Sequence, residues 1–156
     1  MELSIVGKSV TRVDSLEKVN GEAIFCDDIK LPVMLHAKVL RSPYPHAKIL
    51  NIDTSKAERL YGVRGVITHK DLPPRRYGVT VLDQYALAKD VVCYVGDPIA
   101  AVAGDSIDVA EEALDLIEVE YEELPAIFDA EEAMSPHPPV IIHPELANYQ
   151  IDGAFY

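Results

Sequence analysis

The fold is decided by the stretch Ile99-Ala100-Ala101-Val102-Ala103-Gly104-Asp105-Ser106-Ile107-Asp108-Val109-Ala110-Glu111-Glu112-Ala113-Leu114-Asp115-Leu116-Ile117-Glu118-Val119-Glu120-Tyr121-Glu122. Its first five residues are a short apolar run, which predicts a strand. Asp105 or Ser106 then supplies a helix N-cap, and apolar residues recur at the helical period from Ile107 onward. From residue 117 apolar residues alternate with glutamates, which predicts a strand with one face in water. The stretch therefore predicts strand, helix and strand.

Further elements lie on both sides of this stretch. Residues 34–40 alternate, which predicts a strand with Leu35, Ala37 and Val39 facing inward. The other predicted elements are strands at 47–52 and 63–68, an apolar run at 91–95, a short helix from Ser55 and one helical turn at 130–134. We expect an extended arm over residues 4–21, a short strand at 21–24 and a loop at 75–85. Because this order mixes hairpin-like and crossover connections, the sequence predicts an α+β fold.

Negative charge is concentrated in one region of the chain. The formal net charge is −12, and residues 106–134 contain eleven acidic residues and no Lys or Arg. The charge disfavours binding to nucleic acid and to anionic membrane surfaces, since phosphate groups would be repelled. Two interpretations of the acidic region stay open: a solvated face, or a docking face for a basic partner subunit.

Composition limits the remaining classes of protein. The chain has 156 residues, of which 49% are hydrophobic, so it is large enough for one domain with its own core. It has no apolar run of the ~20 residues that a membrane-spanning helix needs, and its first residues do not resemble a secretory leader. We therefore expect a cytoplasmic protein. Its two cysteines are too few for an iron–sulfur cluster, which takes about four.

Two proline-containing turns bring polar and charged residues to strand ends. The candidate interface residues in them are Arg41, Ser42, Tyr44, His46, Gly96 and Asp97. One interpretation is that both turns are tight connections restrained by proline. The other is that Arg41 or Asp97 contacts a neighbouring domain or subunit, because arginine is enriched at protein interfaces.

The same turns belong to a longer series of motifs. These include Leu40-Arg41-Ser42-Pro43-Tyr44-Pro45-His46-Ala47-Lys48-Ile49, Gly96-Asp97-Pro98-Ile99-Ala100-Ala101-Val102-Ala103, Ala110-Glu111-Glu112-Ala113-Leu114 and Ile117-Glu118-Val119-Glu120-Tyr121-Glu122. In this order and spacing they resemble the N-terminal region of the molybdenum subunit of the xanthine dehydrogenase/aldehyde oxidase family, in particular its bacterial multi-subunit members. The resemblance covers residues 5–135.

The resemblance implies an α/β-hammerhead domain, with a mixed sheet and two main helices, over residues 1–135. It implies that residues 136–156 are a proline-rich linker toward cofactor-binding domains. The parent enzyme would carry molybdopterin, as its cytosine dinucleotide in bacteria, and would hydroxylate aldehydes or heteroaromatic rings with water as the oxygen donor. Its partner subunits would carry iron–sulfur clusters and FAD.

The family's cofactor-contacting glycine-rich motif and catalytic glutamate lie downstream of such a domain and have no counterpart in this sequence. We therefore assign no residue of this chain to catalysis, cofactor binding or metal binding, and expect the chain alone to be inactive. A domain that normally docks on larger domains should expose apolar surface when isolated, so we expect self-association, most simply as a homodimer. The alternative is a free-standing interaction or assembly module without enzyme activity.

Overall fold

The computed structural model describes residues 5–79 and 81–144. The chain forms two compact units, residues 1–34 and residues 35–156. The helices are α1 (Ser15–Asn20), α2 (Ser55–Glu58), α3 (Ile107–Asp115) and α4 (Ala130–Ala133). The strands are β1 (His36–Arg41), β2 (Ala47–Asp53), β3 (Val63–Thr68), β4 (Arg76–Tyr77), β5 (Gln84–Tyr85), β6 (Val91–Val92), β7 (Pro98–Gly104) and β8 (Glu118–Glu123).

The first unit departs from the expected extended arm, because it contains helix α1. Asp14, which precedes the helix, pairs with both Arg12 and Lys18, and Gly21 closes the helix at φ 75°. The helix has no buried residue, so apolar periodicity could not reveal it. The short strand expected at 21–24 is also absent from this described segment. The N–H groups of residues 22 and 23 bind the carbonyl of Glu17 instead of a neighbouring strand.

The second unit contains two three-stranded sheets, with strand orders β1-β7-β3 and β6-β2-β8. The α+β class is confirmed. The expected mixed sheet is corrected, since each of these sheets is antiparallel. The physical reason is that α3 connects β7 to β8, which lie in different sheets, so the helix is not a crossover between parallel strands of one sheet. The loop expected at 75–85 contains the short pair β4-β5.

The core of the second unit consists of two clusters of buried residues. One cluster of buried residues joins α2 and α3 to β7 through Ala57, Ala113 and Val102. A second cluster includes Val92 of β6 and Ile99 of β7. Gly104 lets α3 lie close to β7, since a Cβ at this position would be 3.1 Å from a methyl carbon of Val109. The long apolar strand β7 therefore organises both clusters.

The inward face predicted for β1 is wrong. Leu35 and Val39 are 44% and 37% exposed. The opposite face is directed toward α3, where the Lys38 ammonium lies 2.6 Å from the Glu111 carboxylate and Leu40 packs against the first core cluster. Alternation defines two faces of a strand but does not say which one the helix covers.

The predicted helix near residue 107 and the strand after it are confirmed. The Ser106 hydroxyl caps α3 by accepting the N–H of Val109 at 3.2 Å, and Val119 and Tyr121 of β8 point inward, between exposed glutamates. The predicted helical turn at 130–134 is α4. Residues 136–144 form no helix or strand longer than one residue, and the rest of the expected linker lies outside the described residues. The described helices include none long and apolar enough to cross a membrane.

Candidate functional site

The two turns that the sequence singled out meet in the structure. We call this contact the Arg41–Asp97 junction and define it by Arg41, Ser42, Tyr44, Gly96 and Asp97. Arg41 ends β1, and Asp97 directly precedes β7. Since β1 and β7 pair, with Arg41 opposite Pro98, the antiparallel register brings the two turns together. Gly96 has φ 94°, a conformation that glycine adopts without the steric cost of a side chain.

Reciprocal hydrogen bonds connect the two turns. The Ser42 N–H donates to the Asp97 carbonyl at 2.9 Å, and the Gly96 N–H donates to the Ser42 carbonyl at 2.8 Å. Arg41 Nη1 donates to the Gly96 carbonyl at 2.8 Å. Within the first turn, Ser42 Oγ accepts the Tyr44 N–H at 3.0 Å. These bonds satisfy backbone groups that the ends of β1 and β7 would otherwise leave unpaired.

The Asp97 carboxylate faces inward at the junction. The residue is 8% exposed, and its Oδ2 accepts the Cys93 N–H at 3.0 Å. Burial raises the pKa of the Asp97 carboxyl above its usual value, while the Cys93 hydrogen bond and the charge of His143 act in the opposite direction. Burial also raises the pKa of Tyr94, and the nearby Asp97 charge adds to this effect. The Asp97 side chain therefore stabilises its own turn by accepting a hydrogen bond from the backbone of Cys93.

The other two aromatic candidates connect the first turn to β8. The ring centroids of Tyr44 and Tyr121 are 5.0 Å apart with an interplanar angle of 54°, a favourable tilted arrangement. His46 is 7% exposed, and its Nδ1 lies 2.6 Å from the Pro125 carbonyl oxygen. Because a carbonyl only accepts, Nδ1 carries the proton. His46 thus lies outside the junction and holds the segment after β8.

The buried polar side chains of the junction hold the two turns in place and are not available to an external ligand. Ser42 and Asp97 are buried and bonded within the chain, which supports the interpretation of the turns as tight connections. Arg41 is different, because its side chain is exposed and a guanidinium has five donors. Arg41 is therefore the candidate residue to which the second interpretation, contact with a neighbouring domain, applies.

A cleft of about 370 Å³ lies on the side of His46 and Cys93. Molybdopterin carries a phosphate, and phosphate sites in proteins use converging N–H donors, often at glycines or helix N-termini. The cleft contains one arginine, Arg76, together with the carboxylates of Asp83 and Asp90, and its lining includes no glycine. Within residues 5–79 and 81–144, no group of three His, Cys, Asp or Glu side chains could hold a metal ion. The lining of this cleft therefore does not fit the cofactor that the resemblance implies.

Sequence reasoning missed several ion pairs outside the junction that connect distant parts of the chain. Arg64 binds Asp105 through two hydrogen bonds of 2.7 Å, which joins β3 to the turn before α3 and lowers the pKa of Asp105. Part of the acidic region is used in the same way, since Glu118 and Glu122 pair with Lys56 and Lys48. These partners are far apart along the chain, so no local pattern identifies them.

Comparison with known proteins places this geometry in a family. The family described as "Aldehyde oxidase and xanthine dehydrogenase, a/b hammerhead domain" matches residues 20–125. The matched region includes both turns of the Arg41–Asp97 junction, both sheets of three strands, and α3.

Individual proteins agree with this match. The chain is 48% identical over 130 residues to a probable xanthine dehydrogenase subunit of Bacillus subtilis, covering 83% of this chain and 17% of that protein. It is 43% identical over 141 residues to the nicotinate dehydrogenase large molybdopterin subunit of Eubacterium barkeri, covering 90% and 33%. The aldehyde oxidoreductase structure from Desulfovibrio desulfuricans matches with a TM-score of 0.78 and 34% identity, covering 90% of this chain and 17% of that one.

The chain thus spans a third or less of the length of these relatives. The profile match, the sequence identities and the shared three-dimensional arrangement point to the same domain. This chain belongs to the α/β-hammerhead domain family of aldehyde oxidases and xanthine dehydrogenases.

Proposed function

We propose that this chain is the hammerhead part of the large subunit of a molybdenum hydroxylase, and that it contributes folding and domain contacts instead of reacting groups. The proposal rests on one observation. The chain is 48% identical to the Bacillus subtilis relative but covers only 17% of that protein's length. One domain is shared closely, and most of the relative's polypeptide lies outside it.

The contacts within the chain support a structural role. Ser42 and Asp97, the most buried members of the junction, direct their side chains to backbone groups of their own turns. A residue that acts on a substrate must present its polar atoms to that substrate. Arg41 is the candidate residue that we propose contacts a neighbouring domain.

The properties of the whole enzyme form a further part of the proposal. The parent would carry molybdopterin as the cytosine dinucleotide, and iron–sulfur and FAD groups would reside on partner subunits. The nicotinate dehydrogenase relative is named as a large molybdopterin subunit, which supports the cofactor. We propose a cytoplasmic location for the complex, with residues 1–135 as the hammerhead domain and 136–156 as the linker.

Affinity purification from the source organism tests the proposal. The chain's chromosomal copy is tagged, and molybdenum in the purified material is measured by mass spectrometry, with a tagged unrelated cytoplasmic protein as control. We expect about one molybdenum per tagged chain, held by polypeptide beyond residues 1–156. Recovery of the tagged chain without molybdenum or any additional polypeptide would contradict the proposal and would favour the free-standing module.

A further inference from the structure

Asn20, the last residue of α1, is the one asparagine in the sequence that a glycine follows. The two others, Asn51 and Asn148, precede isoleucine and tyrosine. An asparagine deamidates when the backbone nitrogen of the next residue attacks the carboxamide carbon, and a side chain on that next residue hinders the attack. Glycine has no side chain and gives the backbone its greatest freedom. The Asn20-Gly21 pair is therefore the position whose covalent structure most favours deamidation.

Both residues of the pair are accessible to water. Asn20 and Gly21 are exposed, and a Cβ placed at Gly21 would lie more than 4 Å from the surrounding described residues. The backbone nitrogen that would act as the nucleophile thus lies in open surroundings. Water, which must complete the reaction, reaches the same place.

The helical conformation holds the pair in an unreactive state. The Gly21 N–H donates to the carbonyl of Glu17, and the same carbonyl accepts the N–H groups of residues 22 and 23 at 2.8 Å and 3.0 Å. The Gly21 nitrogen is therefore engaged with Glu17 instead of the carboxamide of Asn20. Cyclisation requires that this hydrogen bond break and that the backbone at residue 20 rotate.

Helix α1 has little packing to keep it folded. It is six residues long and buries none of them, and Val19, next to the pair, is 84% exposed. Isolated helices shorter than about 12 residues are marginal in water, because most helical stability in proteins comes from packing of an apolar face. The exposed ion pair between Lys18 and Asp14 is worth a factor of about two in the population of the helix. We therefore expect α1 to unwind locally, without unfolding of the rest of the chain.

We propose that Asn20 is a site of spontaneous deamidation, and that the unwinding of α1 sets its rate. In the unwound segment the Gly21 nitrogen loses its proton and forms a bond to the carboxamide carbon of Asn20. The bond from that carbon to the side-chain nitrogen breaks, and ammonia leaves. One water molecule then opens the cyclic imide at either carbonyl, which gives aspartate or isoaspartate. The reaction consumes one water, releases one ammonia and needs no oxidant or cofactor.

The product favours the unwound state from which it forms. It adds a carboxylate at the C-terminal end of α1, where the helix carries a partial negative charge, so the helix is destabilised. Isoaspartate also lengthens the backbone by one carbon directly before Gly21, which displaces the N–H that binds Glu17. Modified chains should therefore lose α1 and carry one more negative charge than the formal −12 of the unmodified chain.

Timed peptide mapping of the protein purified from its source organism tests both parts of the proposal. The protein is kept in a mildly alkaline buffer, with and without urea, and deamidation at each asparagine is followed by mass spectrometry and isoaspartate analysis. Asn51, which is exposed in β2, is the internal control. Asp14→Ala removes the ion pairs with Arg12 and Lys18 and leaves the reacting pair intact. Asp27→Ala removes an exposed carboxylate of the same unit and is the matched control for the loss of charge.

Without urea we expect Asn20 to deamidate at least about tenfold faster than Asn51, and more slowly than it does in urea. Asp14→Ala should raise the rate at Asn20 about twofold without urea and leave it unchanged in urea, whereas Asp27→Ala should change neither rate. A rate at Asn20 as slow as that at Asn51 would overturn the assignment of the site. Equal rates with and without urea, or equal rates in the Asp14→Ala and Asp27→Ala proteins, would overturn the role of α1. None of these outcomes bears on the proposed function, on which the inference does not depend.

Discussion

The Asp97 carboxylate offers a sharp test of how the Arg41–Asp97 junction is held together. Its Oδ2 accepts the Cys93 N–H at 3.0 Å inside a site where the residue is 8% exposed. Asp97→Ala removes the acceptor and leaves a buried N–H unpaired, which costs about 1–3 kcal/mol. Asp97→Asn keeps an acceptor oxygen and removes the charge. Because burial is the largest influence on this carboxyl and raises its pKa, the asparagine variant should be at least as stable as the wild type at pH 7.

Urea unfolding followed by circular dichroism measures both effects in the 156-residue chain. At pH 7 we expect the free energy of unfolding of Asp97→Ala to fall by about 1–3 kcal/mol, a decrease in Tm of roughly 2–4 °C per kcal/mol. The control is Asp90→Ala, whose side chain is 74% exposed and whose replacement should change the free energy by no more than about 0.5 kcal/mol.

The pH dependence provides a second measurement. A raised pKa in the folded state means that the folded protein binds the proton more tightly than the unfolded protein does. The contribution of Asp97 to stability is therefore greatest at low pH and decreases as pH rises from the usual aspartate value through the raised pKa. The difference in stability between Asp97→Asn and the wild type should increase over the same interval. An asparagine variant that is as unstable as the alanine variant, or a difference that does not depend on pH, would refute the reasoning.

Three further predictions concern the core, the surface and the candidate interface. Ile99→Ala should lower the free energy of unfolding by about 2–5 kcal/mol because Ile99 is fully buried. Ile67→Ala should cost clearly less in the same urea assay because Ile67 is 42% exposed, and equal losses would contradict this difference in burial. Lys56→Ala removes an exposed ion pair with Glu118 and should change stability by less than about 1 kcal/mol, so a larger loss in thermal unfolding would show an unrecognised role. Arg41→Ala should alter the stability of the chain by no more than about 1.5 kcal/mol but lower the molybdenum content per tagged chain in the purified enzyme, because a contact between two domains is lost; an unchanged molybdenum content would remove Arg41 from the proposed interface.

Local sequence patterns were sufficient for the elements whose pattern is complete within a few residues. The capped, amphipathic segment of α3 and the alternation in β8 predicted both elements correctly, since their periods follow from backbone geometry. Helix α1 was missed because it buries no apolar face. Instead, ion pairs with Asp14 and a glycine C-cap accompany it. The pair β4-β5 was missed because two-residue strands are too short to show a period.

The sequence by itself determined the order of the major elements and the family resemblance. It also singled out the residues at the two turns. Tertiary structure alone decided that Arg41 bonds to Gly96, 55 positions away, and that His46 bonds to Pro125. It also decided that α3 covers the Lys38 side of β1 and leaves Val39 exposed. The physical reason is that alternation separates the two faces of a strand, while the packing of a helix from a distant part of the chain decides which face is covered.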